Sequence, residues 1–434
     1  MWDLKLSRRR FLALSGITLG TQLIGGGWAQ TSANPVMRIG AVLPAETGID
    51  AGGAFSDVRV GETALLGALM GREDEGARAE LPGNSLELLI ASAPDGESAL
   101  RAAERLASAE EVFAIIGGIG MEQAIALSQV AEELKLPFFN IGASNDTLRG
   151  GSCNRYTFHV ESSAAMYIDS LVTWLINAGF RRWFFVQADT AEHESHYHRA
   201  MRAMKMREVK MHEVSRVVVG PTQLTFLDAF KDVRRAKADL VVLLLDATPQ
   251  LVFQGQYGAT GLGAAVTGFP VAATQTRDFY AALHDTAPKA GAGYRITLWE
   301  PTLKAHGAQE LNERFLGRWG KPMDGPAWAA YESIKMLHEA SLSAGTQEAA
   351  KIIDYLEDPK TTFDVHKGLG VSFRPWDHQL RQPLYLVRIN GSAERSWNLA
   401  TLVDELPAPR LPSTDPVERL DQIGDLEGVP RCRF

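Results

Sequence analysis

The 434-residue sequence predicts an α/β protein built from two parallel-sheet units. Three observations carry this. Short apolar runs alternate with amphipathic stretches in βαβ order from residue 36 onward. The alternation breaks near 157–164, "TFHVESSA", and then starts again. Two early strands also end in small-residue turns, Gly117-Gly118-Ile119-Gly120 and Gly142-Ala143-Ser144-Asn145, at the carboxyl edge of a sheet where sites of α/β proteins gather.

The first unit reads as strands over 36–43, 85–92, 112–116 and 137–141, with helices over 54–69, 97–107 and 121–134. The second reads as helices over 163–178, 193–206, 223–235 and 248–257, with strands over 182–187, 214–219, 240–245 and within 266–273. A further helix spans 326–343, where Trp328, Tyr331, Ile334 and Leu337 fall on one face. "GLGVSF" and "QPLYLVRI" predict antiparallel strands around the turn "RPWDHQ". From 399 to 434 the chain is rich in Pro and Asp and reads as an extended surface tail.

The N-terminus, "SRRRFLALSGITLGTQLIGGGWAQ", has a basic start, a modest apolar run and a small-residue end. This is the form of a cleaved export signal over 1–29, and Ser7-Arg8-Arg9-Arg10-Phe11-Leu12 fits the twin-arginine pattern. The apolar run is broken by Ser, Thr, Gln and Gly and is too short to span a bilayer comfortably. The expected location is a bacterial periplasm. A net charge of −8 argues against nucleic acid or an anionic membrane surface as the main partner. Cys153 and Cys432 are the two cysteines, and an oxidising compartment favours one disulfide between them over two separate buried thiols.

The glycine turn at 117–120 opens a helix, so its N–H groups and dipole favour an anion or a polar acceptor. A dinucleotide site would need a further glycine and a ribose-binding acid, and a P-loop would need its Lys. Met121, Glu122 and Gln123 stand there instead, so no cofactor is predicted. Glu122 either caps its own helix or points into a pocket. Ser144 and Asn145, after Gly142, either cap the next turn or line the same pocket. Glu46 and Thr47 in the loop after the first strand, with Asp189 and Asp246 from the second unit, complete the predicted ligand set. "TAEHESHYHRAMRAMKM" gathers His193, His196 and His198 with Glu192 and Glu194. Such groups can bind a transition metal, but the mixture of charges reads as a solvated helix face, and no metal site is assigned. No catalytic motif of the G-x-S-x-G or H-E-x-x-H kind is present, so an enzyme is not predicted.

"RIGAVLP", "VFAIIGGIG", "LPFFNIGASND" and "GPAWAAYES", in this order, resemble the type I periplasmic binding proteins of the leucine/isoleucine/valine-binding kind over about 37–389. The resemblance implies two Rossmann-like lobes with parallel central sheets, joined by a three-crossover hinge, with ligand in the cleft between them. Lobe 1 would be 35–158 plus 301–363, and lobe 2 would be 159–300 plus 364–398. "FRPWDHQLRQPLYLVRI" and the ending "LDQIGDLEGVPRCRF" are similar to ABC-transporter binding proteins associated with PQQ-dependent alcohol dehydrogenase systems. The implied partners are a small-molecule ligand and an ABC permease. The alternative is an accessory protein that binds a periplasmic quinoprotein dehydrogenase, its cofactor or a metal. A monomer is expected.

Amino-acid binders of this kind hold the ligand carboxylate with a hydroxyl residue just after the glycine turn, where this chain has Met121 beside Glu122. They hold the ammonium with a distal acid, where this chain has Phe269 or Pro270. Ser144 at the second turn survives. Like charges in a closed cleft cost several kcal/mol, so the expected ligand is neutral and hydroxylated, aromatic or cationic rather than a free α-amino acid.

Overall fold

The computed structural model describes residues 36–44, 55–78, 85–206, 213–287, 293–393, 398–408, 415–424, 432 and 434. The predicted export signal, Glu46 and Thr47 lie outside the described residues.

The first sheet contains β1 (Met37–Leu43), β2 (Leu86–Ser92), β3 (Ala114–Gly117), β4 (Phe138–Asn140) and β5 (Thr157–His159), all parallel in the order β2-β1-β3-β4-β5. Successive side chains of a strand face opposite ways, which sorts its apolar residues into two layers. Ile115 and Phe138 pack under α2 (Gly96–Ala109) and α3 (Met121–Leu134), against Leu106, Leu127 and Val130. Ile116 and Phe139 face the other way, into the core that holds Val60, Ala64 and Ala68 of α1 (Asp57–Arg78). There α1 lies against α10 (Gly325–Ala344) so closely that a β-carbon on Gly67 would fall 1.9 Å from the Ala327 carbonyl oxygen.

The second sheet runs β12-β11-β10-β9-β8-β6-β7. Its parallel part is β6 (Arg182–Ala188), β7 (Glu213–Val219), β8 (Leu240–Leu244), β9 (Ala265–Gly268) and β10 (Tyr294–Thr297). Strands β11 (Leu384–Ile389) and β12 (Ala400–Leu406) add antiparallel to it. Helices α6 (Leu227–Ala236) and α7 (Ala247–Gly258) cover one face through Phe226, Phe230, Phe253 and Tyr257. Helices α4 (Ala164–Asn177) and α5 (Ala191–Met206) pack with Trp183 and Phe185 on the other. The remaining helices are α8 (Arg277–Thr286), α9 (Ala308–Trp319), α11 (Ala349–Glu357) and α12 (Pro416–Leu420). No helix among the described residues is long and apolar enough to cross a membrane.

The chain passes between the sheets three times, after β5, after β10 and between α11 and β11. Buried polar groups fasten these passages together. Tyr167 donates to Glu161 at 2.5 Å, and Gln275 Nε2 donates to the Tyr167 hydroxyl at 3.0 Å. Lys367 donates to Gln382 Oε1 at 2.7 Å, and Gln382 Nε2 to the Val160 carbonyl at 2.6 Å. Burial pushes Glu161 up to about 7, against the opposing pull of Tyr167, Arg149 and Lys367.

Two expectations are corrected. "GLGVSF" forms only an isolated bridge, Phe373 to Leu380, and the antiparallel partners of β11 are β10 and β12. Residues 400–406, expected in an extended tail, form the edge strand β12, whose apolar residues are broken up by Thr401, Asp404 and Glu405 and give no apolar run to read. Sequence reading also passed over α8, β10, α9 and α11. Farther on, Arg374 donates to the carbonyls of Leu420, Ile423 and Gly424, and Gly424 N–H donates to Asp169. The chain end is pinned by the Cys153–Cys432 disulfide, Cα to Cα 5.9 Å. The Phe434 ring stacks on His378, which stacks on Phe158.

Candidate functional site

Helix α3 starts at Met121 because Gly120, at φ +82°, turns the chain out of β3 in a conformation that favours glycine. The N–H groups of Gly118 and Ile119 are taken by the chain itself: both donate to Gln123 Oε1, at 2.9 and 2.8 Å. At the second turn, Asn140 Oδ1 accepts the N–H groups of Gly142 and Ala143 at 3.3 and 2.9 Å. Asn145 accepts the Thr147 N–H at 2.8 Å, and its Nδ2 lies 3.1 Å from Met121 Sδ, so the two turns touch. Behind them the buried Arg149 donates to the carbonyls of Ala143, Asn145 and Glu161 and to Gln379 Oε1. The pocket wall is thereby tied to two of the three passages between the sheets.

A cavity of about 420 Å³ lies between these turns and the second sheet. Of the predicted residues it brings together Met121, Gly142, Ser144, Asn145 and Asp246. It does not bring in Glu122 or Asp189. Glu122 is the second residue of α3 and faces solvent. Asp189 follows β6 and is exposed, with its N–H bonded to the Val219 carbonyl at 2.8 Å.

The cavity also takes in residues that sequence reading missed: Phe55, Ser56 and Asp57 ahead of and opening α1, Glu192 on α5, and Val271, Ala272 and Ala273 after β9. The α1 signal was misplaced because the helix was expected from residue 54, which hides Asp57 inside a turn. The strand expected within 266–273 ends at Gly268, and the residues that follow become cavity wall. Glu192 was noticed, but as a partner for the histidines.

Asp57 changes the reading of the glycine turn. A β-carbon on Gly120 would lie 2.5 Å from Asp57 Oδ2, so this carboxylate stands directly over the start of α3. The chain thus sets an anion of its own at the turn, and it comes from Asp57 rather than Glu122. Desolvation, with Asp246 and Glu122 nearby, raises the Asp57 pKa above its usual value. Glu192 is raised for the same reason, with Asp246 and Asp146 adding repulsion. Asp246, at the N-cap of α7, has its Oδ1 3.7 Å from His193 Nε2. Burial lowers the His193 pKa, with Asp246 pulling the other way, and brings His196 down to about 3 as its ring stacks on Phe269. Both imidazoles are held neutral. Among the described residues no Lys or Arg lines the cavity, and its ionisable lining groups are Asp57, Glu192 and Asp246.

The histidine-rich helix does not assemble a metal centre. His193 and His196 point inward, while His198 pairs with Glu194 at 2.9 Å on the surface. Among the described residues no three His, Cys, Asp or Glu side chains group closely enough to hold a metal ion.

Residues 38–394 match the periplasmic binding protein family. The chain belongs to that family. A curated relative, a Leu/Ile/Val-binding protein homolog from Brucella melitensis, is 33% identical over 89 residues. The match spans 20% of this chain and 22% of the relative's length. Solved structures share the fold over a far greater length. A branched-chain amino acid ABC transporter periplasmic ligand-binding protein from Burkholderia xenovorans has a TM-score of 0.73 at 17% identity, over 85% of this chain and 95% of its own. An ABC transporter solute-binding protein from Rhodopseudomonas palustris, in complex with 3,4-dihydroxybenzoic acid, has a TM-score of 0.69 at 16% identity, over 87% of this chain and 99% of its own. Family members of this fold are binding proteins rather than enzymes, and the cavity is a binding site in form.

Proposed function

We propose that the chain is a periplasmic solute-binding protein, the binding component of an ABC transporter, that captures a small molecule between its two sheets. The observation that carries this reading is the cavity itself. It lies at the carboxyl ends of strands from both sheets and is walled by each of them, so rotation about the three passages would close it on a ligand. Export by the twin-arginine signal over 1–29 and action as a monomer belong to the same reading.

The ligand is neutral or cationic rather than a free α-amino acid. Asp57 covers the turn where a ligand carboxylate would sit, and Met121 replaces the hydroxyl that would meet it. Differential scanning fluorimetry against alcohols, aldehydes, amines, aromatic acids and amino acids tests this. A ligand present at 100 times its Kd stabilises the folded form by about 2.7 kcal/mol. Strong stabilisation by leucine or valine would refute the ligand assignment.

A link to PQQ-dependent alcohol oxidation rests on the resemblance of 373–389 and of the chain end. In that setting the alternative role is accessory binding of a quinoprotein dehydrogenase, its cofactor or a metal. Recovery of a dehydrogenase in a pull-down, with no small molecule stabilising the protein, would favour the alternative.

A further inference from the structure

We infer that the ligand of the cleft is an organic cation, an ammonium group on a body of modest size. The inference rests on the reading of the cavity as the binding site and commits it to one class of ligand.

Charge supplies the first argument. Asp57, Glu192 and Asp246 reach the cavity from three separate elements, α1, α5 and the start of α7, and they do so from both sheets. None of the three makes a hydrogen bond to another described side chain, and among the described residues the lining holds no Lys or Arg to neutralise them. Asp246 repels both Asp57 and Glu192, although Asp57 and Asp246 are open to solvent here, and a cation between the three removes that repulsion. An anion or a zwitterion adds to it on at least one side.

A second observation is independent of the carboxylates. His193 is 2% exposed, and its Nε2 has no hydrogen-bond partner. That nitrogen is directed at Asp246 Oδ1 from 3.7 Å, too far to bond it. His193 stands behind Asp246 and does not line the cavity, so its open nitrogen leaves the Asp246 carboxylate without a donor from behind and free to take an N–H group of a ligand. Ser56 Oγ, also in the lining, is likewise buried and unpartnered.

Geometry separates an organic cation from a metal ion. Among the described residues the acids do not converge into a group of three that could coordinate a metal. The cavity, about 420 Å³, is of the size of small-molecule sites. Phe55, Met121 and Val271 give it apolar surface for the body of the ligand. Gln123 occupies the N–H groups of Gly118 and Ile119, which removes donors that a carboxylate ligand would use.

The test is isothermal titration of the mature chain, in about 150 mM salt to suppress non-specific attraction, with three probes that share one body: benzylamine, benzyl alcohol and benzoate. Putrescine and choline widen the cation set. The expected result is a cation bound at least tenfold more tightly than benzyl alcohol, with benzoate weakest. Asp57→Asn and Glu192→Gln should each weaken the cation at least fivefold, while Glu310→Gln, on α9 outside the cavity, should leave it unchanged. Binding of benzyl alcohol or benzoate as tight as that of any cation overturns the inference but leaves the cleft as a binding site. So does cation binding that Asp57→Asn and Glu192→Gln do not weaken. No binding by any cation also overturns it, and the neutral and anionic probes then decide whether the cleft reading falls with it.

Discussion

Arg149 joins the pocket wall to the hinge, and replacing it measures how much that joint contributes. Its side chain is 1% exposed and donates to Gln379 Oε1 at 2.6 Å and to the carbonyls of Ala143, Asn145 and Glu161 at 3.2, 2.8 and 2.7 Å. Arg149→Met keeps much of the stem and removes all four bonds. Charged hydrogen bonds contribute about 1.5–3 kcal/mol each, but bonds made by one group do not add. Breaking a buried charged network costs about 3–5 kcal/mol, so a loss near 4 kcal/mol is expected. The loss also depends on pH. Burial pushes Asp146 up to about 6 and Glu161 up to about 7, with Arg149 pulling both down. Both folded values stand above the unfolded ones, so the two groups cost stability as the pH rises from the unfolded values through the folded ones. Without Arg149 they rise further, and the deficit of the variant should be flat at low pH and grow as the pH rises above about 6, where Asp146 and then Glu161 ionise in the parent protein but less in the variant. Urea unfolding at pH 4.5 and pH 7.5 reads both effects. A loss under about 1 kcal/mol, or a deficit larger at the lower pH, would refute the reasoning.

Other substitutions test separate parts of the account. Gly120→Ala should destabilise by about 1–3 kcal/mol, because φ +82° with ψ 150° is a backbone conformation essentially reserved for glycine. It should also weaken ligand binding, since the new methyl group meets Asp57 Oδ2; titration and thermal unfolding check the two effects. Cys432→Ser opens a loop with a sequence separation of 279, and a loss of about 2–5 kcal/mol in chemical unfolding is expected. Glu357 is pushed up by burial, yet hydrogen bonds from His378 and Arg155 outweigh this and hold it at about 2. Its folded value lies below its unfolded one, so its contribution is present above about pH 4.5 and is lost as the pH falls toward 2. Glu357→Gln should therefore flatten the acid limb of the stability profile, and an unchanged limb would count against that assignment.

The parts of the fold legible in the sequence were those with a strong local signal. Helix α3 was expected over 121–134 and is found there, because a glycine turn starts it and Lys135, in a left-handed conformation, ends it. The two sheets followed from repeated βαβ order. Strand β12 was not legible, because Thr401, Asp404 and Glu405 interrupt its apolar residues and leave no apolar run to show. Within the site, Met121, Gly142, Ser144 and Asn145 were legible because the turns that carry them are written in consecutive residues. Asp57 and Glu192 were not, because what places them in the cavity is packing between elements far apart in the chain. Glu122 misled for the opposite reason. It adjoins the turn in sequence, but the first turn of a helix directs neighbouring side chains to different sides.

Native mass spectrometry of the chain, purified gently from the cells that make it, tests the central claim most directly. The claim predicts a bound small molecule that is lost when Ser144→Trp fills the cavity, and that on release is an amine or a neutral compound rather than an α-amino acid. A bound molecule retained by the filled variant, or release of leucine or valine, would contradict it.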